Sequence, residues 1–175
     1  MNVLSLFSGY GGLEMGVKEV FPDAEVVCHV EIEPYAQRIL AKRYSGIPIW
    51  PDVTTLRGGI FFDAGIEIDA ITGGFPCQSF STAGKRGGVD DERGILFWQV
   101  ARLAREIGES QGRLPMLFLE NVPGLLSVDD GSTFGDILGT LAEMGFSVRW
   151  GVVGACHAGA PHRRERVFIM ADSPE

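Results

Sequence analysis

The sequence predicts an α/β protein with a doubly wound, mostly parallel β-sheet, formed by a single domain over residues 1–175. Short apolar runs alternate along the chain with segments of helical periodicity, which is the pattern of βαβ units. A chain of 175 residues suits one domain that buries about 70% of its unfolded surface. Hydrophobic residues make up 45% of the chain and charged residues 22%, as in an ordinary soluble globular protein.

Each predicted element has its own signal in the sequence. Apolar runs of four to seven residues predict the strands, which in chain order are 3–7, 25–30, 47–50, 68–72, 115–119, 147–153 and 167–171. Apolar residues spaced three or four apart predict helices at 13–20, 34–44, 95–107 and 133–144. Asp129, Asp130 and Ser132 are candidate caps of the last helix. The glycine pairs 58–59 and 87–88 mark loops inside the domain.

Charge and cysteine content narrow the class of function. The net charge of −8 disfavours a general nucleic-acid-binding surface. Basic residues nevertheless cluster at 157–166 and at Lys85-Arg86, which suits contact with phosphates over a limited footprint, or else two solvated loops. Three cysteines without close pairing, no membrane-length apolar run and no basic leader predict a reduced, cytoplasmic protein. The His and Cys residues lack zinc-ligand spacing, so we expect no metal.

The segment 73–79, Gly-Gly-Phe-Pro-Cys-Gln-Ser, is the most informative part of the chain. It follows the predicted strand 68–72, and ligands of open α/β sheets bind beyond the carboxyl ends of strands. Cys77 is therefore a candidate nucleophile, and the two glycines allow the backbone to approach a flat ligand. The alternative is a tight turn with a buried thiol, because free cysteine is often only a small hydrophobic residue.

Three further positions predict a nucleotide-like ligand. The glycine turn at 7–12 follows a strand and opens a helix, where backbone N–H groups bind carboxylates or phosphates. Glu31 ends the second strand, where a carboxylate accepts hydrogen bonds from ribose hydroxyls, although it could instead cap the next helix. Asp52 could recognise an adenine amino group, or be a simple turn aspartate.

Two later motifs carry charge. Glu120 stands at the tip of the strand 115–119, where partial burial suits a carboxyl that donates a proton near neutral pH, or one that caps a turn. The run 161–166 is Pro-His-Arg-Arg-Glu-Arg, and strand alternation would place Arg164 and Arg166 on one side.

In this order the elements resemble the cytosine-C5 DNA methyltransferase family, from Leu4 to about Ala171. The shared motifs are the Phe-x-Gly-x-Gly-Gly turn at 7–12, Pro-Cys-Gln at 76–78, Glu-Asn-Val at 120–122 and Arg-x-Arg at 164–166. The stretches 80–85 and 93–97 are similar to the family's mobile catalytic loop. The resemblance implies a Rossmann-like methyltransferase fold, S-adenosylmethionine as the cofactor and methyl donor, and DNA as the partner.

The resemblance also implies roles for particular residues. Cys77 would add to C6 of cytosine, Glu120 would bind N3, Arg166 would bind O2, and Arg164 would position the site. The residues expected to bind the donor are Phe7, Ser8, Gly9, Tyr10, Gly11, Gly12, Glu31, Ile32, Asp52, Val53, Gly74, Phe75 and Pro76. Those expected to bind DNA are Ser79, Ser81, Lys85, Arg86, Arg93, His162 and Arg163.

The sequence departs from the family in two places. His162 replaces a glutamine that precedes the Arg-x-Arg motif. The chain also lacks the family's target-recognition region and last helical segment, which leaves a minimal enzyme, one that needs a second chain, or a degenerate domain. Other open readings are methylation of tRNA or free nucleotides, a non-catalytic binding module, and a hydrolase with a dyad of Cys77 and His157 or His162. Restriction-modification, phage self-protection and gene regulation are equally open as biological roles.

Overall fold

The computed structural model describes residues 1–76 and 95–173. All seven predicted strands are present among them. In chain order they are β1 (Asn2–Leu6), β2 (Glu25–Val30), β3 (Ile49–Trp50), β4 (Ala70–Gly73), β5 (Met116–Asn121), β6 (Ser147–Gly154) and β7 (Glu165–Asp172). The helices are α1 (Gly12–Val20), α2 (Pro34–Arg43), α3 (Gly59–Asp63), α4 (Ile95–Gln111) and α5 (Ser132–Glu143). Short 3₁₀ segments lie within Pro123–Gly131, which is interrupted by non-helical residues at 128–130, and at Ala155–Ala158.

The strands form one sheet in the order β3-β2-β1-β4-β5-β7-β6. The pairs among β1 to β5 are parallel, whereas β7 runs antiparallel to both β5 and β6. The carboxyl ends of β1, β2, β4 and β5 therefore lie at one edge, called here the carboxyl edge. Because Val167 pairs with Asn121, β7 begins at this same edge. The prediction of a doubly wound, mostly parallel sheet is confirmed.

Helices cover the two faces of the sheet unequally. The larger core lies on the face where α4 and α5 pack, around Leu103, Ile137 and Leu141. On the opposite face, α1 packs through Val17 against Val3 at the start of β1. Burying these apolar side chains contributes about 1.5–3 kcal/mol each, which outweighs the weak intrinsic stability of short helices.

On the face that carries α1, one row of side chains changes from polar on β2, β1 and β4 to apolar on β5 and β7. The strand registers place His29, Ser5, Thr72, Phe118 and Met170 in one row across the sheet. The first three are fully buried, whereas Met170 is 50% exposed. At Phe118 on β5 this face is still covered, because its ring contacts Phe21 just after α1. No described helix packs on the β7-β6 part beyond it, which we call the open face: Val153, Phe168 and Met170.

Two local expectations were wrong. The glycine pair 58–59 introduces α3, because the missing side chain of Gly58 lets the backbone lie against Glu106, whose Cβ would be 2.8 Å from an added methyl group. The proposed caps of α5 do not cap it: its N-cap is Gly131, with φ 89° and no side-chain hydrogen bond. Asp129 and Asp130 instead occupy left-handed turn conformations, which aspartate tolerates better than most residues.

Candidate active site

The glycine turn joins β1 to α1 at the carboxyl edge. Gly9 and Gly11 have φ of 53° and 77°, in the left-handed region that favours glycine, and Phe7 shares this conformation with φ 52°. A side chain at Gly11 would lie 2.5 Å from the ring of Tyr44, whose hydroxyl donates a hydrogen bond to the Gly11 carbonyl at 3.0 Å. Glycine is therefore required at position 11 for a close contact as well as for its backbone conformation.

Glu31 connects the end of β2 to the glycine turn. Its carboxylate accepts hydrogen bonds from the backbone N–H groups of Gly9 at 2.7 Å and Glu33 at 2.9 Å. The side chain is buried, yet each carboxylate oxygen has a further lone pair for a hydroxyl donor. The predicted ribose-binding residue thus lies directly against the predicted donor-binding turn.

The other predicted donor-binding side chains differ in their surroundings. Ile32 is largely exposed beside Glu31, and Tyr10 is exposed with its ring edge-on to Tyr35. Asp52 accepts two hydrogen bonds from Thr54, through the backbone N–H at 2.9 Å and the hydroxyl at 2.8 Å, which is a turn arrangement. The side chain of Val53 lies in the core, so only its backbone is available to a ligand.

Beneath the glycine turn lies a polar cluster that sequence reasoning missed. Glu14 is 5% exposed, and its Oε1 accepts hydrogen bonds from the hydroxyls of Ser5 at 2.7 Å and Thr72 at 2.8 Å. Its Oε2 has no hydrogen-bond partner among the described residues. Glu14 also lines a cavity of about 140 Å³ together with Tyr44 and Lys18. A helical carboxylate usually faces solvent, and no spacing in the sequence marks this one as buried.

His29 is fully buried in the same region, with its ring 4.7 Å from that of Tyr44. Burial lowers the pKa of His29 from its ordinary value, against the opposing effect of the Glu14 charge. The folded protein therefore holds the neutral imidazole, while the unfolded chain takes up a proton below about pH 6.5.

We expect the free energy of unfolding to decrease as the pH falls from 7.5 to 5.5, because only the unfolded chain gains the His29 proton in this window. Thermal unfolding of the wild type and of His29→Phe at several pH values checks this. In the variant, the free energy of unfolding should decrease much less over the same pH range. The pKa values of Asp69 and Glu106 are lowered instead, so their contributions are lost only in more acidic solution. Parallel pH profiles for the two proteins would contradict the assignment.

Glu120 and Arg166 form an ion pair at the carboxyl edge. The distance from Arg166 Nε to Glu120 Oε1 is 2.6 Å, and both side chains are about one-quarter exposed. Glu120 is near the end of β5 and pairs with Phe168, so both charged groups stand on the side of the sheet that carries the open face. Glu120 Oε2 also lies 3.2 Å from where a side chain at Gly74 would begin, so glycine there gives the carboxylate room.

The segment that leads to Cys77 is held by Asn121. Its side-chain amide donates a hydrogen bond to the carbonyl of Phe75 at 3.0 Å, and its oxygen accepts one from the N–H of Val122 at 2.8 Å. Asn121 is buried, and the ring of Phe75 packs in the core against Phe97. The sequence motif marked Asn121, but it predicted no role for it. Pro76 is exposed and is the last described residue before Cys77.

The basic cluster lies at the same edge, between β6 and β7. His162, Arg163 and Arg164 are exposed, and the carbonyl of Arg163 accepts a hydrogen bond from the N–H of Ala155 at 2.6 Å. The alternation argument fails for Arg164, because β7 begins at Glu165 and Arg164 has φ 34°, outside strand geometry. Its side chain is placed by a turn rather than by the pleat of the sheet.

Neither of the two cysteines in the described ranges, Cys28 and Cys156, has the surroundings expected of a catalytic nucleophile. Burial raises the pKa of Cys28 to about 11, so its thiol stays protonated and unreactive at neutral pH. Cys156 is free and exposed, in the 3₁₀ segment Ala155–Ala158 that follows β6 rather than at the end of a parallel strand. His157 Nδ1 accepts a hydrogen bond from the N–H of Gly154 at 3.2 Å, so one of its ring nitrogens is occupied.

Several predicted residues lie outside the described ranges. They are Cys77, Ser79, Ser81, Lys85, Arg86 and Arg93. Within residues 1–76 and 95–173, no three His, Cys, Asp or Glu side chains are grouped in a way that could hold a metal ion. In the same ranges, no helix combines the length and apolar character needed to cross a membrane.

Comparisons with known proteins identify the family of the chain. Residues 1–174 match the model of the family described as C-5 cytosine-specific DNA methylase. The chain is 34% identical over 174 residues to the type II methyltransferase M2.BsuMI of Bacillus subtilis, covering 98% of this chain and 42% of the relative. It is 32% identical to M.HhaI of Haemophilus parahaemolyticus, covering 97% and 48%.

Solved structures share the same architecture. A protein described as a DNA modification methyltransferase encoded within a prophage (E. coli) superimposes with a TM-score of 0.80 at 30% identity, over 99% of this chain and 47% of that one. The Dnmt2 methyltransferase of S. pombe also gives 0.80, at 24% identity, over 99% and 51%. The chain thus spans about half of these proteins or less. Its full-length match nevertheless shows that the chain belongs to the C-5 cytosine-specific DNA methylase family.

Proposed function

We propose that the chain transfers a methyl group from S-adenosylmethionine to C5 of cytosine in DNA, through a covalent bond between Cys77 and C6. One observation carries the proposal. The glycine turn with Glu31, the Glu120–Arg166 ion pair and the segment leading to Cys77 all meet at the carboxyl edge of a sheet whose family acts on cytosine. Open α/β sheets bind their ligands at this edge.

The residues around the glycine turn suit the donor. Glu31 would accept hydrogen bonds from the ribose hydroxyls, since its carboxylate is already fixed by Gly9 and Glu33. The exposed side chain of Ile32 offers an apolar surface to the adenine ring, and the N-terminus of α1 favours the donor's carboxylate. When bound, S-adenosylmethionine supplies an electrophilic methyl group.

The remaining groups suit the cytosine ring. The Cys77 thiolate would form a bond to C6, and the electron pair of the C5–C6 double bond would then make C5 nucleophilic. Glu120 in its protonated form would donate its proton to N3 and so draw charge from the ring, while Arg166 would bind O2 and pair with the carboxylate that remains. After C5 takes the methyl group, loss of the C5 proton to a base and cleavage of the C6–sulfur bond restore the double bond.

The DNA would be bound by the remaining predicted residues. A cytosine inside a duplex is out of reach, so it must be flipped out, at a cost of about a few kcal/mol. Exposed His162 and Arg163 lie at the carboxyl edge, where phosphates of a bound duplex would pass. The other residues that would contact DNA are Ser79, Ser81, Lys85, Arg86 and Arg93. Because the relatives are type II methyltransferases, we propose a cytoplasmic role in DNA modification.

Labelled S-adenosylmethionine tests the proposal directly. The protein is incubated with duplex DNA, tRNA and dCMP, separately and in competition, and the products are analysed for 5-methylcytosine. We expect label in DNA alone. Label in tRNA or dCMP would show that the substrate is RNA or a free nucleotide instead of DNA. Donor binding without any methyl transfer would favour a non-catalytic binding module.

We further propose that a second polypeptide chain completes the enzyme. The open face leaves Met170 and Val153 about half exposed beside the Glu120–Arg166 pair, although doubly wound sheets normally cover both faces. An apolar segment of a partner, packed on this face, would border the active site.

A charge on the open face tests for that partner. Met170→Glu should lower methylation of host DNA at least tenfold, because a carboxylate cannot be buried against an apolar segment without a large cost. Phe62→Glu is the matched control: Phe62 is 52% exposed, compared with 50% for Met170, but lies on α3. Bisulfite sequencing measures methylation at equal expression. Equal methylation by both variants, or full activity of the purified single chain, would overturn the proposal of a partner chain.

A further inference from the structure

Glu14 is a buried carboxylate that none of the proposed catalytic steps uses. It lies on α1, two residues past the glycine turn, and points its Oε1 at the hydroxyls of Ser5 on β1 and Thr72 on β4. A buried carboxylate costs free energy that only close hydrogen bonds offset. An apolar side chain would pack α1 on the sheet without that cost, so the distinct effect of Glu14 is the orientation of these hydroxyls.

The hydroxyl protons define a direction in this network. Ser5 has one hydroxyl proton and donates it to Glu14, so in the 2.6 Å contact between Ser5 Oγ and Ser8 Oγ the donor is Ser8. Ser8 Oγ in turn accepts a hydrogen bond from the N–H of Val30 at 3.3 Å. One chain of donors therefore runs from the end of β2 through the glycine turn to Glu14.

The second branch runs towards the predicted nucleophile. Thr72 donates its hydroxyl proton to the same Oε1 at 2.8 Å. It lies one residue before the end of β4, and the chain continues from there through Gly74 and Pro76 to Cys77. A single carboxylate oxygen thus joins the turn that would hold the donor to the strand that leads to the thiol.

We propose that Glu14 is a positioning residue that fixes the donor-binding turn relative to the Cys77 segment. This inference rests on the proposed function, because it assigns the donor to the turn. Tyr44, which lines the same cavity as Glu14, supports the same arrangement, since its hydroxyl donates to the carbonyl of Gly11 while its ring packs on His29. The catalytic geometry then depends on a side chain that touches neither substrate.

Glu14→Gln and Glu14→Met test the proposal through the dissociation constant for S-adenosylmethionine, measured by calorimetry. Glutamine keeps an acceptor oxygen for both hydroxyls, whereas methionine leaves them without one. We expect the methionine variant to bind the donor at least tenfold more weakly and the glutamine variant about two- to threefold more weakly. Leu141→Ala, a cavity in α5 on the far face, is the control for lost stability and should bind within twofold of the wild type.

Thr72→Val separates the two branches and does not depend on the folding of Glu14→Met. It should reduce kcat for methyl transfer at saturating donor at least fivefold while the donor affinity stays within twofold. In a Glu14→Gln background its effect on kcat should be smaller, because the shared acceptor is already weakened. Wild-type donor affinity in both Glu14 variants would overturn the proposal. Absence of donor binding by the wild type would instead overturn the proposed function.

Discussion

Cys77→Ser should reduce methyl transfer by about a thousandfold or more, because a serine hydroxyl at neutral pH is a far weaker nucleophile than a thiolate. The donor affinity should change less than twofold, since the glycine turn and Glu31 stay intact. Single-turnover transfer of labelled methyl to DNA measures the first quantity and calorimetry the second.

Cys156→Ser is the matched control, because it removes an exposed thiol elsewhere on the chain and should keep full activity. DNA carrying 5-fluorocytosine gives an independent readout. Fluorine cannot leave C5 as a proton does, so the wild type and Cys156→Ser should become covalently attached, while Cys77→Ser should not. A Cys77→Ser protein that still forms the adduct would remove Cys77 from the mechanism.

The carboxyl edge was predictable because a parallel sheet imposes it. Once the alternation of strands and helices is recognised, the residues after β1, β2, β4 and β5 must meet. Gly9, Glu31 and Glu120 therefore appeared as site candidates before their contacts were known. The Glu31–Gly9 hydrogen bond then follows from strands that the periodicity already defines, whereas the Glu120–Arg166 ion pair also depends on the register between β5 and β7.

The polar layer under α1 was not predictable in the same way. Glu14 belongs to a helix whose buried face is only partly apolar, and its partners Ser5 and Thr72 are 9 and 58 residues away in sequence. Their contact depends on the register between β1 and β4, which periodicity does not determine. Arg164 shows a similar limit, because its left-handed turn conformation is decided by the bend into β7 rather than by residue type.

Glu120→Gln should lower kcat for methyl transfer by about 100- to 10,000-fold, the range by which a general acid or base contributes. Glutamine keeps the size of the side chain but has no charge to pair with Arg166 and no acidic proton to share with N3. The Michaelis constant for S-adenosylmethionine should change little, since the glycine turn and Glu31, which would hold most of the donor, stay intact. Glu143→Gln, an exposed carboxylate on α5, is the control and should retain full activity.

The 2.6 Å ion pair also predicts how variants of Glu120 and Arg166 combine. If Arg166 acts by holding Glu120 and by binding O2 of the same ring, the two residues work as one unit, and their effects on kcat are not additive. The double variant Glu120→Gln/Arg166→Ala should therefore be no more than about threefold slower than the worse single variant. If the decrease in kcat of the double variant equals the product of the two single decreases, the two side chains act on separate steps and their ion pair serves only to hold β5 and β7 together.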